Sequence, residues 1–119
     1  LWHSGISDEQ LRSIYQQSTA LVLPLLDCTA NNAVLEAMSC GLPIVSNCVG
    51  GVRDYTDPAF ANLLPVGDID GLVEAVLNIA DSPTERTLKG QLARSHAEKN
   101  FSWSSIAAKT LEIYSKVVQ

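Results

Sequence analysis

Residues 27–51 read DCTANNAVLEAMSCGLPIVSNCVGG, and their pattern decides the fold class. Polar and small residues open the stretch, a short apolar segment follows, and Gly41 then favours the left-handed cap that ends a helix. The segment PIVSN predicts a β-strand, and Gly50 with Gly51 predicts a second loop. Glu36 is the only charged side chain after the first residue of this stretch, so we expect it to face a polar ligand and not the core. From helix position alone, a solvated surface charge without a ligand is the alternative.

The segment before this stretch predicts a strand end, a helix and a further strand. Residues 1–3 are expected to end a strand. Ser7 and Gln10 have the spacing of a capping box, which predicts a helix from Ser7 to about Gln17. The apolar run LVLPL at residues 21–25 predicts a strand that is buried on both faces of a parallel sheet.

The segment after this stretch predicts a loop at residues 47–57, a last strand at residues 62–66 and three helices. The expected N-caps of these helices are Asp68, Ser82 and Ser102. Glu85 would complete a second capping box with Ser82. The last helix is expected to bury four side chains against the body of the domain: Ile106, Leu111, Tyr114 and Val118.

Strands that alternate with helices predict an α/β fold with a Rossmann-like parallel sheet flanked by helices. Ligands of such sheets bind at the carboxyl ends of the strands, where residues 27–32 form a loop. The helix that follows this loop can offer free N–H groups to phosphate oxygens without any lysine. Asn32 and Glu36 share one face of that helix. A carboxylate can accept two hydrogen bonds side by side, as the adjacent hydroxyls of a ribose require.

Length and composition limit the function further. The chain has 119 residues, which is enough for a single domain, and its net charge of -5 argues against nucleic acid as a partner. Three cysteines without a C-x-x-C spacing predict neither a disulfide framework nor a metal site, and they favour the reduced cytoplasm. No signal peptide or membrane span is predicted. The missing initiator Met suggests a piece of a longer protein.

Several motifs occur in a fixed order and together resemble one enzyme family. LEAMSCGLPIVSNCVGG is similar to the C-terminal signature of family four retaining glycosyltransferases of the GT-B fold. SDEQLRSIYQQSTALVLPL before it, and GDIDGLVEAV and FSWSSIAAKTLEIY after it, continue the resemblance over nearly the whole chain. The resemblance implies one partial domain, residues 1–119, that forms the donor-binding half of a GT-B enzyme.

The resemblance also implies a substrate, partners and roles for several residues. The substrate would be a nucleoside-diphosphate sugar, with no metal and no further cofactor, and Glu36 would contact its ribose hydroxyls. Cys28 stands where the family has a glutamate that touches the donor sugar, so Asp27 would take over that contact or sugar recognition would differ. The backbone amides of Thr29, Ala30, Asn31 and Asn32 would face the sugar and the diphosphate.

The resemblance further implies that an N-terminal acceptor domain is missing here. The missing half could associate peripherally with a membrane, and the present chain alone would bind donor weakly and not turn over. No catalytic residue can be named in this half.

Other interpretations remain open for these residues. Asn31 and Asn32 could cap the helix, and Gly50 and Gly51 could serve a turn, although close approach to a phosphate also favours glycine. His3 and His96 are expected at the surface, and Trp2 and Trp103 are expected to pack. The chain could also be a catalytically degenerate sugar-nucleotide binder or scaffold. A dinucleotide-binding module is a third alternative, but the sequence contains no G-x-G-x-x-G.

Overall fold

The computed structural model describes residues 1–118, which form an α/β domain around a three-stranded parallel sheet of order β1-β2-β3. The strands are β1 (Leu21–Leu23), β2 (Ile44–Asn47) and β3 (Ala61–Leu64). The helices are α1 (Asp8–Gln17), α2 (Asn32–Ser39), α3 (Val52–Tyr55), α4 (Ile69–Asp81), α5 (Pro83–Phe101) and α6 (Trp103–Val117). The predicted fold class and the predicted order of the main elements are confirmed.

The two faces of the sheet are covered by different helices because neighbouring residues of β2 point to opposite sides. Ile44 packs in a core cluster with residues of α2 and α5, while Val45 packs with Ala75 and Ile79 of α4. All four residues of β2 are buried, as expected of a central parallel strand. The sheet therefore has β2 at its centre and β1 and β3 on either side.

Most of the predicted helix ends are confirmed. Ser7 and Gln10 form both bonds of the capping box at α1, and Asp68 and Ser102 accept backbone hydrogen bonds at the starts of α4 and α6. The second predicted capping box is only half formed. The Ser82 Oγ accepts a hydrogen bond from the Glu85 amide. The Glu85 carboxylate instead forms an ion pair with Lys89 at 3.2 Å, one helical turn further along.

Three local predictions are wrong. Residues 1–3 form no strand, and the predicted loop at residues 47–57 contains α3. β1 is not buried on both faces, because Val22 remains 45% exposed. Val22 pairs with Val45 and so lies on the α4 face, but α4 packs over β2 and β3.

The predicted burial of α6 is also wrong. No residue of α6 is buried, and the exposed fraction of its large apolar side chains ranges from 38% at Ile106 to 90% at Trp103. Val118, just beyond the end of the helix, is 84% exposed. Leu111 and Tyr114 are exposed as well. Helical periodicity indicates that one face is apolar, but it does not say what covers that face. No helix of residues 1–118 is long and apolar enough to cross a membrane.

Candidate functional site

The candidate site lies at the carboxyl edge of the sheet, where two loops meet. The β1–α2 loop (residues 24–31) follows β1, and the β2–α3 loop (residues 48–51) follows β2. The Gly51 amide donates a 3.0 Å hydrogen bond to the Cys28 carbonyl oxygen. Gly50 has a φ of +47°, and a Cβ atom at this position would clash with the same carbonyl. Both glycines are therefore needed for close backbone packing of the two loops.

Tyr55 of α3 supports the β1–α2 loop from the side. Its hydroxyl donates a 3.1 Å hydrogen bond to the Thr29 carbonyl oxygen, and its ring packs edge-on against Phe101. Sequence reasoning missed this residue because it placed Tyr55 in a loop. The spacing of Val52 and Tyr55, one helical turn apart after a glycine pair, is the signal that could have predicted α3.

The predicted ligand-binding residues of the β1–α2 loop lie together at the surface. Asp27 is exposed, and its Oδ1 accepts a 2.8 Å hydrogen bond from the Cys28 amide, so this carboxylate stabilises its own loop. Cys28 is half-buried, while Thr29 and Ala30 are exposed. Within the described part of the chain, the N–H groups of residues 29–32 donate to no acceptor. The hydrogen-bonding capacity of these four N–H groups is thus unused within residues 1–118.

The two asparagines have different positions. Asn31 is the N-cap of α2, and its side chain accepts a 3.2 Å hydrogen bond from the Val34 amide, so the capping interpretation is confirmed for Asn31. Asn32 is the first residue of α2 and lines a cavity together with Glu36. The predicted shared helix face of Asn32 and Glu36 is therefore present, and Asn32 remains a candidate ligand contact.

This cavity has a volume of about 500 Å³ and lies between α1, α2 and the junction of α5 with α6; we call it the α1–α2 cavity. Its walls are mainly apolar, with Leu11, Leu35 and Phe101 beside the carboxylate of Glu36. Glu36 forms no ion pair with any residue from 1 to 118. Arg12 of α1 also lines this cavity but forms no ion pair with Glu36, so the Glu36 carboxylate can accept hydrogen bonds from a ligand.

Tyr15 is the protein group that contacts Glu36. Its hydroxyl donates a hydrogen bond to Glu36 Oε2 at 3.2 Å, across 21 residues of sequence. Burial, together with the nearby Glu36 carboxylate, raises the pKa of Tyr15 from its ordinary 10.0 to about 12. Burial likewise raises the pKa of the Cys40 thiol in the same cavity. Tyr15 therefore stays protonated, and remains a donor, at neutral pH.

Three predictions about aromatic and histidine side chains are wrong. Trp2 and Trp103 do not pack, since they are 91% and 90% exposed, and Trp103 lies at the rim of the α1–α2 cavity. His96 is half-buried and not at the surface, because its ring contacts Phe60 and Phe101 at centroid distances of 5.2 and 5.8 Å. His3 is exposed, as predicted.

A larger cavity of about 780 Å³ lies elsewhere, along β3 between α3 and α4. It contains none of the predicted ligand-binding residues, and its polar lining includes Arg53, Asp68 and Glu74. Size alone does not identify a binding site. The α1–α2 cavity is the stronger candidate because two of the predicted ligand-binding residues, Asn32 at the start of α2 and Glu36, line it.

Similarity to known proteins identifies the family. The family described as "Glycosyl transferases group 1" matches residues 2–82. The chain belongs to the group 1 glycosyltransferases. It is 32% identical over 117 residues to the MMP alpha-(1->4)-mannosyltransferase of Mycolicibacterium hassiacum, covering 97% of this chain and 28% of that protein. It is also 32% identical over 115 residues to alpha-maltose-1-phosphate synthase of Mycobacterium tuberculosis, covering 91% of this chain and 30% of that protein.

A solved structure supports the same assignment. Sucrose-phosphate synthase from Thermosynechococcus elongatus superposes with a TM-score of 0.88 and 25% identity, over 99% of this chain and 30% of that one. This glycosyltransferase chain is thus a partial GT-B unit, spanning less than a third of the length of these relatives. In residues 1–118 no group of three His, Cys, Asp or Glu side chains could hold a metal ion.

The contact between the two loops makes a testable prediction. Gly50→Ala should destabilise the domain by more than the roughly 1–2 kcal/mol that a left-handed backbone costs an L-residue, because the new methyl group also clashes with the Cys28 carbonyl. Gly5→Ala is the matched control, since Gly5 has a φ of +63° but open space around it. Urea unfolding of both variants measures the difference. Equal losses would show that the loops do not pack as described.

The raised pKa of Tyr15 makes a second prediction. Because the pKa is higher in the folded chain than in the unfolded chain, the protonated hydroxyl stabilises the fold below pH 10, and this contribution is lost as the pH rises toward 12. The difference in unfolding free energy between wild type and Tyr15→Phe should therefore shrink across this range. Urea unfolding at several pH values measures it, with Tyr114→Phe as the control for loss of an exposed hydroxyl. A difference that is constant with pH would contradict the assignment.

Proposed function

We propose that this chain forms the donor-binding part of a retaining glycosyltransferase, in which Glu36 accepts hydrogen bonds from the ribose hydroxyls of a nucleoside-diphosphate sugar. The observation that carries the proposal is the position of Glu36. Its carboxylate faces a cavity of about 500 Å³, has no ion pair among the described residues and lies one helical turn from the start of α2.

The diphosphate would lie at the start of α2. A helix N-terminus carries a partial positive charge and unpaired N–H groups, both of which favour a phosphate. The N–H groups of residues 29–32 have no acceptor within the described chain, and the capped helix holds them in place. Ribose at Glu36 and phosphates at these amides would be neighbouring contacts of one nucleotide. Gly50 and Gly51 would hold the loop that carries these amides.

The donor sugar would lie near Cys28 and Asp27. The family's glutamate is replaced by Cys28, a weak hydrogen-bond donor, and one Asp27 oxygen is already bonded to the Cys28 amide. Sugar recognition should therefore differ from that of enzymes with the glutamate. Names of similar proteins refer to mannosyl transfer and to maltose 1-phosphate synthesis, which supports a hexose as the transferred group.

We further propose that a longer protein contains this chain together with an acceptor-binding domain and acts in the cytoplasm, without metal or nucleic acid. Residues 1–119 would form one partial domain, which could reach a membrane only through the other half. This chain covers less than a third of the length of the two relatives, which supports this organisation. The chain alone would then bind donor weakly and transfer no sugar.

The first experiment titrates UDP, GDP and ADP into the chain by calorimetry and ligand-observed NMR. One of them should bind saturably, and Glu36→Gln should weaken its binding by roughly 1–3 kcal/mol, the cost of leaving a buried polar partner unpaired. Glu74→Gln is the matched control because Glu74 is an exposed helical glutamate that lines the larger cavity beside β3. Its affinity should equal that of the wild type.

The outcome shows which of the two cavities binds the nucleotide. Unchanged binding in Glu36→Gln would remove Glu36 from the site and contradict the proposal. Weaker binding in Glu74→Gln alone would place the nucleotide along β3 instead.

A second candidate function, a degenerate binder or scaffold, is favoured by Cys28. A longer protein that contains this chain should transfer sugar itself, and Cys28→Glu should change its choice among donor sugars by restoring a strong hydrogen-bond acceptor. Initial rates with a panel of donor sugars measure this. An inactive parent that gains activity in Cys28→Glu would instead support the degenerate binder.

A further inference from the structure

Tyr15 and Glu36 form a pair that joins two helices at the candidate site. The Tyr15 hydroxyl of α1 donates to Glu36 Oε2 of α2 at 3.2 Å. We propose that Tyr15 is a positioning residue, which fixes the Glu36 carboxylate so that it can accept both vicinal hydroxyls of a ribose. This inference rests on the proposed function and extends it to the selection of ribonucleotides over deoxyribonucleotides.

The carboxylate needs such a partner because Glu36 is exposed on a helix surface. A free glutamate populates several rotamers, and fixing one of them costs side-chain entropy. If a ligand alone had to order Glu36, this cost would reduce its affinity. A hydrogen bond that already exists in the unliganded protein removes part of the cost.

Tyr15 is suited to this task because its own side chain is anchored. Its ring is half-buried and packs against the core cluster that includes Val34 and Met38 of α2. A tyrosine has only two side-chain torsions, so a packed ring leaves its hydroxyl at a nearly fixed position. The Tyr15 hydroxyl therefore restricts the orientation of the Glu36 carboxylate at the surface.

The charge of the partner also matters. A lysine or arginine at this position would pair with Glu36 and compete with ligand hydroxyls for its oxygens, whereas a neutral hydroxyl occupies one acceptor position. An ionised carboxylate has about four such positions. The Tyr15 bond at Oε2 thus leaves capacity for two hydroxyl donors. Asn32 lies on the same cavity wall, one turn before Glu36.

The pair predicts how Tyr15 affects selectivity. A 2′-deoxyribose lacks one of the two hydroxyls, so the benefit of a correctly oriented carboxylate is largest for the ribonucleotide. Loss of the Tyr15 hydroxyl should reduce affinity for the ribonucleotide more than for the 2′-deoxynucleotide. A purely structural role of Tyr15 would weaken both ligands equally.

The experiment measures dissociation constants of the 119-residue chain for the nucleoside diphosphate that binds and for its 2′-deoxy form. Wild type should prefer the ribonucleotide by about 10-fold, which corresponds to one hydrogen bond to a charged group. Tyr15→Phe should lower this preference by about threefold or more, and Glu36→Gln should abolish it. Tyr114→Phe, which removes an exposed hydroxyl of α6, should leave it unchanged.

Each outcome has a distinct meaning. If Glu36→Gln abolishes the preference and Tyr15→Phe leaves it intact, the positioning role is wrong and the proposed function stands. Equal weakening of both ligands in Tyr15→Phe also overturns the positioning role. No saturable binding by wild type, or an unchanged preference in Glu36→Gln, overturns the proposed function and this inference with it. Tyr15→Phe keeps the packed ring, and its thermal unfolding verifies that the variant is folded.

Discussion

The carboxyl edge of the sheet depends on one buried amide side chain. Asn47, the last residue of β2, is 3% exposed; its Oδ1 accepts from the Leu25 amide, and its Nδ2 donates to the carbonyl oxygens of Leu64 and Pro65. The residue thus joins the ends of all three strands. An amide can do this because it both accepts and donates, whereas a buried aspartate would only accept. Loss of this side chain would leave several backbone groups unpaired in the interior.

Because Asn47 fixes the strand ends, the loops after them meet in a defined way. Ser46 strengthens the same edge by donating to the Leu23 carbonyl at 2.7 Å. The β2–α3 loop then contacts the β1–α2 loop through backbone atoms of Gly51 and Cys28. Backbone contacts constrain the shape of the β1–α2 loop without fixing its outward side chains. A cysteine in place of the family's glutamate can therefore be accommodated while the loop keeps its position.

The sequence predicted those features that depend on local interactions. Helix caps at Ser7, Asn31 and Asp68, and the stop at Gly41, follow from bonds or torsions within a few residues. Glu36 could be selected because a charge in an apolar helix is informative by itself. Its partner Tyr15 was not predicted, although a phenol hydroxyl at the edge of a core needs a hydrogen-bond partner.

The features that the sequence did not predict depend on distant parts of the chain. Val22 and α6 are exposed because no other element covers their apolar faces. A local sequence pattern predicts an apolar face but not the element that packs against it. The contact between Gly50 and Cys28, and the support of Thr29 by Tyr55, join residues more than 20 positions apart. The sequence indicated that Gly50 and Gly51 serve either a turn or close approach to a phosphate, and it could not show that they would meet the backbone of a different loop.

The net charge limits how this chain could hold a diphosphate. A net charge of -5 repels a phosphate at long range, and salt screens that repulsion beyond about 10 Å. Attraction must therefore be local, and neutral amides at a helix start supply it without adding a cation that would pair with Glu36. A helix terminus carries only about half a unit of positive charge, however, which is less than the charge of a diphosphate. Tight binding consequently requires cations from outside residues 29–36, so the amides would orient the diphosphate while basic groups elsewhere in a complete enzyme would neutralise it.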